Sequence, residues 1–184
     1  MKKLIITANP VVKSLTNTIA EEIKKLSTRN WDNVEILDLY RTDLRQDFLS
    51  YEKISEIWND TTTKKIQEKI KWADELVFVF PIWWWDMPAI MKNFWDCNFT
   101  RDFAYRYEKG WKKISLLDWK TARIIALSWA PSFFYKIILH VQLLWNLNRV
   151  WFCWIKQKSF TVFWEIDRTK TDKSNILNKL NNLI

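Results

Sequence analysis

The sequence predicts an α/β fold in which a parallel sheet is covered by helices on both faces. Short continuous apolar runs, typical of strands buried on both sides, alternate with segments that carry apolar residues at helical spacing. The chain contains no internal repeat and no low-complexity linker. This alternation favours β-α-β crossovers within one sheet, so we expect residues 1–184 to form a single domain.

Five apolar runs are predicted to be strands. The first is stopped by Asn9-Pro10, a pair that ends a strand and begins a turn. The run ELVFVFPIW has no polar interruption after its glutamate, which is the mark of a central strand. The predicted strands span residues 3–8, 34–40, 75–83, 121–128 and 150–156.

The segments between these runs have helical character. Ser14 is a good N-cap for a helix whose apolar residues begin at Leu15 and continue through Leu26. Pro88 suits the first turn of a later helix because its fixed φ matches the helical value. Further helices are predicted at 64–72, 87–96, 133–147 and 171–183, with a loop at 98–119.

The composition argues against several classes of protein. The net charge is +8, but the 29 basic residues are interleaved with 21 acidic ones, which favours a solvated basic surface over a nucleic-acid site. No stretch reaches the ~18 apolar residues of a membrane span, and the first apolar run is shorter than a signal-peptide core. We therefore expect no membrane span, no nucleic-acid partner and a cytoplasmic location.

The cysteine and histidine content predicts neither a disulfide nor a metal site. Cys97 and Cys153 lie far apart in a chain without a secretory signal, so a disulfide between them is not expected. His140 is the only histidine, and no Cys, His and Asp residues have metal-ligand spacing. We expect no bound metal.

The chain contains 14 tryptophans and a single glycine. Average usage would give a chain of this length roughly 13 glycines. Trp31, Trp119 and Trp129 stand beside apolar runs, where turns commonly use glycine for positive φ. Some bacterial lineages read the UGA codon as glycine and others as tryptophan. One hypothesis is therefore that UGA codons for glycine are written here as Trp, and the other is that the protein is aromatic-rich with other turn residues.

Open parallel sheets bind ligands outside the carboxyl ends of their strands. The first such end carries Lys13, Ser14 and Thr16 at a helix start, where N–H groups and the helix dipole favour an anion. The glycines of a dinucleotide or Walker motif are missing, and Ser14 could also be an ordinary N-cap.

Two later strand ends are rich in aromatic residues. FPIWWWDMP (80–88) could form a stacking wall for a flat ring. The alternative is that these aromatic side chains simply pack in the hydrophobic core. The turn in ALSWAPSFFY (126–135) is difficult for the backbone unless residue 129 is glycine. Tyr135 and His140 follow on the next helix and could reach the same pocket.

Together these segments resemble the flavodoxin-like NAD(P)H:quinone oxidoreductase family, which includes the modulator-of-drug-activity and potassium-efflux ancillary proteins. The most specific segment is ADELVFVFPIWWWDMPAIMKNFWD (73–96), and residues 103–110, 116–135 and 152–156 are also similar to family segments. The resemblance implies a flavodoxin-like three-layer sandwich whose five-stranded parallel sheet has the order 2-1-3-4-5.

The resemblance also implies roles for individual residues. Asn9 replaces a family histidine, and His140 lies one position from the expected partner of Tyr135. The implied flavin-binding residues are Asn9, Ser14, Leu15 and Thr16 at the phosphate, Pro81, Ile82, Trp83, Trp84 and Trp85 at the isoalloxazine, and Ser128, Trp129 and Ala130 at its pyrimidine edge. The implied catalytic residues are Tyr135 and His140.

The activity implied by this family is ping-pong hydride transfer from NAD(P)H to a bound flavin and on to a quinone or similar flat acceptor. FMN is the first choice of flavin and FAD the alternative. A homodimer with the substrate site at its interface is expected, with residues 98–111 closing the site. A flavin-binding ancillary regulator of a membrane transporter is the other reading, and a basic nucleic-acid-binding module is a third.

The same comparison sorts the tryptophans. Family members carry glycine at the positions of Trp119, Trp129 and Trp154, and with less support at Trp85, Trp151 and Trp164. Trp72, Trp84 and Trp95 correspond to aromatic positions, with Trp84 expected against the flavin. The remaining tryptophans are unassigned: Trp31, Trp58, Trp83, Trp111 and Trp145.

Overall fold

A computed structural model describes residues 1–53, 56, 60–84, 86–131, 153, 155–166, 173–181 and 183. Its strands are β1 (Lys2–Thr7), β2 (Asn33–Asp38), β3 (Glu75–Pro81), β4 (Tyr105–Tyr107), β5 (Lys113–Ser115), β6 (Thr121–Leu127) and β7 (Lys156–Phe163). The helices among these residues are α1 (Leu15–Arg29), α2 (Thr61–Trp72), α3 (Ala89–Asn98) and α4 (Lys173–Leu180).

Five strands form one parallel sheet in the order β2-β1-β3-β6-β7. Counted along this sheet alone, the order is 2-1-3-4-5, so the predicted flavodoxin-like topology is confirmed. The strand order reverses between β1 and β3, which places the predicted switch point at their carboxyl ends.

The sheet separates two apolar layers because successive side chains on a strand point to opposite faces. On one face Ile5 and Val77 pack with Ile19 of α1 and Leu180 of α4. The opposite face is larger and includes core residues from α2 and α3. Its members include Leu4, Ile6, Phe78, Phe80, Ile66 and Phe94. Helices thus cover both faces, and β1 and β3 are almost wholly buried between them.

The predicted position of the fifth strand is wrong. The strand runs from Lys156 to Phe163, beyond the predicted segment at 150–156. Cys153 and Ile155 of that segment are buried but lie outside any strand, and residues 150–152 and 154 lie outside the described part of the chain. The sequence of β7, KQKSFTVF, is half polar because this strand forms the edge of the sheet. An edge strand needs no continuous apolar run, so periodicity favoured the wrong segment.

Other elements also differ from their predicted boundaries. The predicted loop at 98–119 contains an antiparallel pair formed by β4 and β5, and Phe103 and Ala104 beside it are buried. Helix α2 begins at Thr61, three residues earlier than predicted, because Asp60 accepts a hydrogen bond from the Thr63 N–H at 2.6 Å. The predicted helix at 133–147 falls outside the described residues.

The amino-terminal end of the sheet is closed by charged side chains. Glu75 is fully buried, and its carboxylate lies 2.6 Å from Arg123 Nε and 3.4 Å from Lys158 Nζ. Lys3 Nζ lies 4.0 Å from the same carboxylate. Arg123 also donates to the carbonyl of Leu183, which ties the end of the chain to this cluster. Glu75, Lys3, Arg123 and Lys158 form the Glu75 cluster, which joins β1, β3, β6 and β7 at the amino-terminal end of the sheet.

Two further features of the core concern its titratable groups. Lys120 is fully buried, and its ammonium donates to the Lys71 carbonyl at 3.1 Å and to that of Ala73; burial lowers its pKa to about 8. Cys97 and Cys153 are buried free thiols, and burial raises the pKa of each to about 11. Within the described ranges, no helix has both the length and the apolar character needed to span a membrane.

Candidate functional site

The carboxyl ends of β1, β3 and β6 surround a cavity of about 420 Å³. This volume lies within the ~300–1,000 Å³ typical of small-molecule sites. The lining residues come from three separate loops: Asn9, Val11, Lys13, Ser14, Leu15, Thr16, Pro81, Ile82, Trp83, Leu127, Ser128, Trp129 and Ile166. The topology has therefore brought together the three segments that the sequence nominated.

One end of the cavity is the start of α1. Ser14 is the N-cap, and its hydroxyl accepts the Asn17 N–H at 3.2 Å. The N–H groups of Leu15 and Thr16 belong to the first helical turn and have no intrahelical acceptor. They add their partial positive charge to that of Lys13, so this end suits an anionic group. Ser14 therefore serves both as a cap and as part of the cavity wall.

The loop before α1 is braced from two sides. The Asn17 amide donates to the carbonyls of Val11 and Val12 at 3.2 Å and 3.1 Å. Arg41 donates to the carbonyl of Asn9 at 3.1 Å and to that of Pro10 at 2.8 Å.

Arg41 is itself held by Asp38 at 2.6 Å. Sequence reasoning missed Arg41 because it follows β2, about 30 positions from the loop, and no motif marks it.

Asn9 lines the cavity, but both polar atoms of its side-chain amide form hydrogen bonds within this loop and the start of α1. Its nitrogen donates to the Thr16 hydroxyl at 2.9 Å, and its oxygen accepts the Val11 N–H at 3.0 Å. The asparagine therefore holds the loop against the helix start.

The other end of the site is a second cavity of about 260 Å³. It is lined by Ile82, Trp83, Trp84, Ser128, Trp129 and Ala130. Four of these residues also line the first cavity, so the two spaces adjoin. Exposed indoles of Trp83 and Trp129 border them, which favours a flat, partly apolar occupant.

The loop after β6 is held in place by backbone contacts. The Ser128 carbonyl accepts the Ile166 N–H at 2.9 Å, and the Ser128 hydroxyl accepts the Ala130 N–H at 3.1 Å. We expected the N–H groups near residues 129 and 130 to face a ligand. The Ala130 N–H is engaged by the serine hydroxyl, which leaves the Trp129 N–H as the candidate donor to a ligand.

The expectation that Trp84 packs against a flavin stays a prediction. Trp84 borders the second cavity, but its side chain is 95% exposed and its φ is +47°. It stands at a tight turn in which Trp83 and Asp86 exchange backbone hydrogen bonds. Trp95, which the resemblance places at an aromatic position, is buried and stacks on Phe78.

Eleven of the twelve predicted binding residues line one or both cavities. The twelfth, Trp85, lies outside the described residues, as do the predicted catalytic residues Tyr135 and His140. Ile166 was missed because the fifth strand was predicted too early in the chain, which hid the loop that follows it.

The fold agrees with comparisons to known proteins. Residues 1–183 match the Flavodoxin_2 family, which is described as a flavodoxin-like fold. The chain belongs to the Flavodoxin_2 family. Among solved structures, this Flavodoxin_2 chain superposes on Smu.1420 of Streptococcus mutans UA159 with a TM-score of 0.84 and 30% identity, covering 100% of this chain and 98% of the other.

Curated relatives of this Flavodoxin_2 chain carry oxidoreductase names. It is 36% identical over 114 residues to an uncharacterized NAD(P)H oxidoreductase of Haemophilus influenzae, which covers 60% of this chain and only 56% of that protein. It is 28% identical over 156 residues to an FMN-dependent NADH:quinone oxidoreductase of Metamycoplasma arthritidis, covering 80% of this chain and 79% of that one.

Proposed function

We propose that this protein is an FMN-dependent NAD(P)H:quinone oxidoreductase. The observation that carries the proposal is the pair of adjoining cavities, which run from the start of α1 to an indole-bordered slot. An anion-binding end joined to a flat, apolar end matches a phosphorylated flavin. The name of the Metamycoplasma relative, an FMN-dependent NADH:quinone oxidoreductase, supports FMN as that flavin.

The phosphate end of the site fits the terminal phosphate of FMN. The N–H groups of Leu15 and Thr16 and the ammonium of Lys13 supply positive charge there. Arg41 and Asn17 fix the loop before the ligand arrives, so little ordering is needed on binding. Among the described residues, no carboxylate lines this cavity to oppose the phosphate.

The ring end fits the isoalloxazine. Bound FMN would supply the ring chemistry that accepts and releases a hydride. The chain's part is to hold the ring between Ile82, Trp83 and Trp129. The Trp129 N–H is our candidate donor to the pyrimidine edge, since that of Ala130 is engaged by Ser128.

The family resemblance implies that NAD(P)H and a quinone occupy the same face of the ring in turn. Tyr135 and His140 are proposed to handle the accompanying charge and proton, on the strength of the family resemblance. Tyr135→Phe should then lower kcat more than it changes the Kd for FMN.

The same proposal includes a homodimer, a single domain and a cytoplasmic location. Exposed Phe48 and Tyr51 on one loop offer an apolar surface of the kind that subunits cover. The family match over residues 1–183 supports one domain, and two buried free thiols suit a reducing compartment. Sedimentation of Phe48→Lys beside the parent chain tests the dimer, which the variant should weaken.

The decisive experiment uses the natural protein purified from its source. We expect a visible flavin spectrum, NADH oxidation that depends on added quinone, and parallel lines in double-reciprocal plots. Flavin binding without turnover would favour the transporter-regulator alternative, and a protein that neither carries nor takes up FMN would overturn the proposal.

A further inference from the structure

We propose that residues 31, 84 and 111 are glycine in the protein that the source cell makes, and that Trp stands there only through the reading of the codon. All three backbones lie in the left-handed region, with φ of +62°, +47° and +61°. Bulky residues rarely adopt this region, because their Cβ crowds the following carbonyl. The consequence drawn below for residue 84 also rests on the proposed function; that for residues 31 and 111 does not.

Trp31 occupies the position after a helix where glycine is most favoured. Helix α1 ends at Arg29, with Asn30 as its C-cap. The Trp31 N–H donates to the Thr28 carbonyl at 3.0 Å, and the Asp32 N–H donates to the Ser27 carbonyl at 3.1 Å. These two bonds define a Schellman motif, whose left-handed residue is usually glycine. The Trp31 side chain is 95% exposed, so packing of the indole does not explain the conformation.

Trp84 is the first central residue of a two-residue turn. The Trp83 N–H donates to the Asp86 carbonyl at 2.8 Å, and the Asp86 N–H donates back to the Trp83 carbonyl at 3.0 Å. Turns of this length favour the types that need positive φ at the first central position, where glycine, asparagine and aspartate dominate. The resemblance implied an aromatic residue at this position, but the φ of +47° favours glycine, which satisfies the turn without strain.

Trp111 lies in the short loop between β4 and β5. The loop is closed by the Glu108 N–H, which donates to the Lys112 carbonyl at 2.9 Å. Gly110 has φ of +79°, so two consecutive residues are left-handed. Trp111 is 85% exposed, and the contact of its ring with Tyr107 is a loose edge contact at 6.1 Å. The one glycine in the chain thus marks the kind of site that Trp111 shares.

Other residues delimit the inference. Asp102 and Glu165 are also left-handed, so positive φ alone does not identify glycine; aspartate tolerates the region well. Among the described tryptophans, Trp119, Trp129 and Trp164 are not left-handed, and Trp164 packs against the core. The backbone therefore gives no support to the sequence-based prediction of glycine at those three positions.

Trp95 supplies the contrast. Its ring stacks on Phe99 and on Phe78, with ring centroids 4.0 Å and 4.8 Å apart. Trp95 lies on helix α3, and its side chain is buried. A residue that fills the core in this way must be a true indole. The tryptophans thus include true indoles such as Trp95 and exposed residues at left-handed turns.

Glycine at residue 84 would also change the ring end of the site. The Trp84 indole borders the cavity of about 260 Å³. Its removal exposes the backbone of the turn, so a flat ring can approach that backbone closely. We therefore expect the glycine form to bind FMN more tightly.

The first test is the mass of peptides from the natural protein. We expect glycine at 31, 84 and 111 and tryptophan at 95, with UGA at the first three codons and UGG at the last. Tryptophan in the peptides that contain residues 31, 84 and 111 would overturn the inference.

The second test uses the chain as written. Trp31→Gly and Trp111→Gly should each raise the folding equilibrium constant about fivefold, because relief of left-handed strain exceeds the entropy that glycine adds to the unfolded chain. Trp31→Ala and Trp111→Ala keep a Cβ and should gain less than about twofold. Equal gains for alanine and glycine would contradict the inference. Trp95→Gly is the control and should destabilise the fold strongly.

The two proposals fail differently. Residues 31 and 111 line neither cavity, so their stability gains do not depend on FMN. Trp84→Gly should raise both stability and FMN affinity. If no form binds FMN, the proposed function is wrong, but the predicted stability gains at residues 31 and 111 can still be observed. If FMN binds but glycine at residues 31 and 111 does not increase stability, the inference about glycine is wrong and the proposed function is unaffected.

Discussion

The two ends of the central sheet are built on opposite principles. At the amino end, the Glu75 cluster is buried and its charges face one another. At the carboxyl end, the start of α1 directs its donors into an open cavity. Charges paired inside the protein make the fold depend on every member of the cluster but leave little to bind a ligand, whereas the first N–H groups of a helix remain available to one. Stability and ligand affinity should therefore respond to different residues of one sheet.

The largest expected effect is at the amino end. Glu75→Ala leaves Arg123 and Lys158 without their carboxylate partner. The variant should lower the free energy of unfolding by about 3–5 kcal/mol. Chemical denaturation measures this. The matched control is Glu35→Ala, which removes the half-exposed ion pair with Lys69 and should cost about 0–1 kcal/mol.

If Glu75→Ala does not fold, Glu75→Gln keeps the side-chain volume and permits the same measurement. Wherever the variant folds, its FMN affinity should stay within about twofold of the parent, since the site is distant. A loss of affinity without a loss of stability would break the comparison.

The second effect is the pH dependence set by Lys120. Burial lowers its pKa in the folded state to about 8, while in the unfolded chain it stays near its ordinary value of 10.5. Between these values the unfolded state binds more protons, so the stability contributed by this group rises with pH. The maximum slope is about 1.4 kcal/mol per pH unit.

Denaturation at pH 7, 8, 9 and 10 checks this expectation. Lys120→Met carries no charge and Lys120→Arg stays charged throughout, so both variants should lack the extra rise. A parent and variants with parallel profiles would show that the buried ammonium does not titrate in this range.

At the carboxyl end, Arg41 is expected to matter for binding. Arg41→Ala removes both hydrogen bonds that hold the carbonyls of Asn9 and Pro10, so FMN should bind about tenfold more weakly. Arg45→Ala is the control, because Arg45 donates instead to the Tyr40 carbonyl. Fluorescence titration with FMN measures both; equal losses would mean that positive charge in general, and not the brace, sets the affinity.

The smallest effect tests the border between the two roles. Ser14→Ala and Asp60→Ala each remove a helix N-cap and should each lower stability by about 1 kcal/mol. Ser14 alone lines the cavity. FMN affinity should therefore fall only for Ser14→Ala, and a similar fall for Asp60→Ala would show that a general loss of stability, and not a lost contact, weakens binding.

Much of the fold and the site could be predicted from neighbouring residues. The apolar runs of β1, β3 and β6 are buried on both faces, so their sequence records their position directly. The Ser14 cap depends on residues within one helical turn. Because carboxyl ends of parallel strands meet at one edge, the three loops of the site could be named before their contacts were known.

The remaining features depended on partners that no local pattern specifies. The edge strand β7 is half polar, Arg41 reaches a loop about 30 positions away, and Glu75 meets cations from three other strands. The composition showed that glycine was scarce, but the left-handed backbone at 31, 84 and 111 was decided by hydrogen bonds that close a helix end and two turns. Sequence determines short-range periodicity and capping; tertiary structure decides which distant groups meet and which backbone conformations they require.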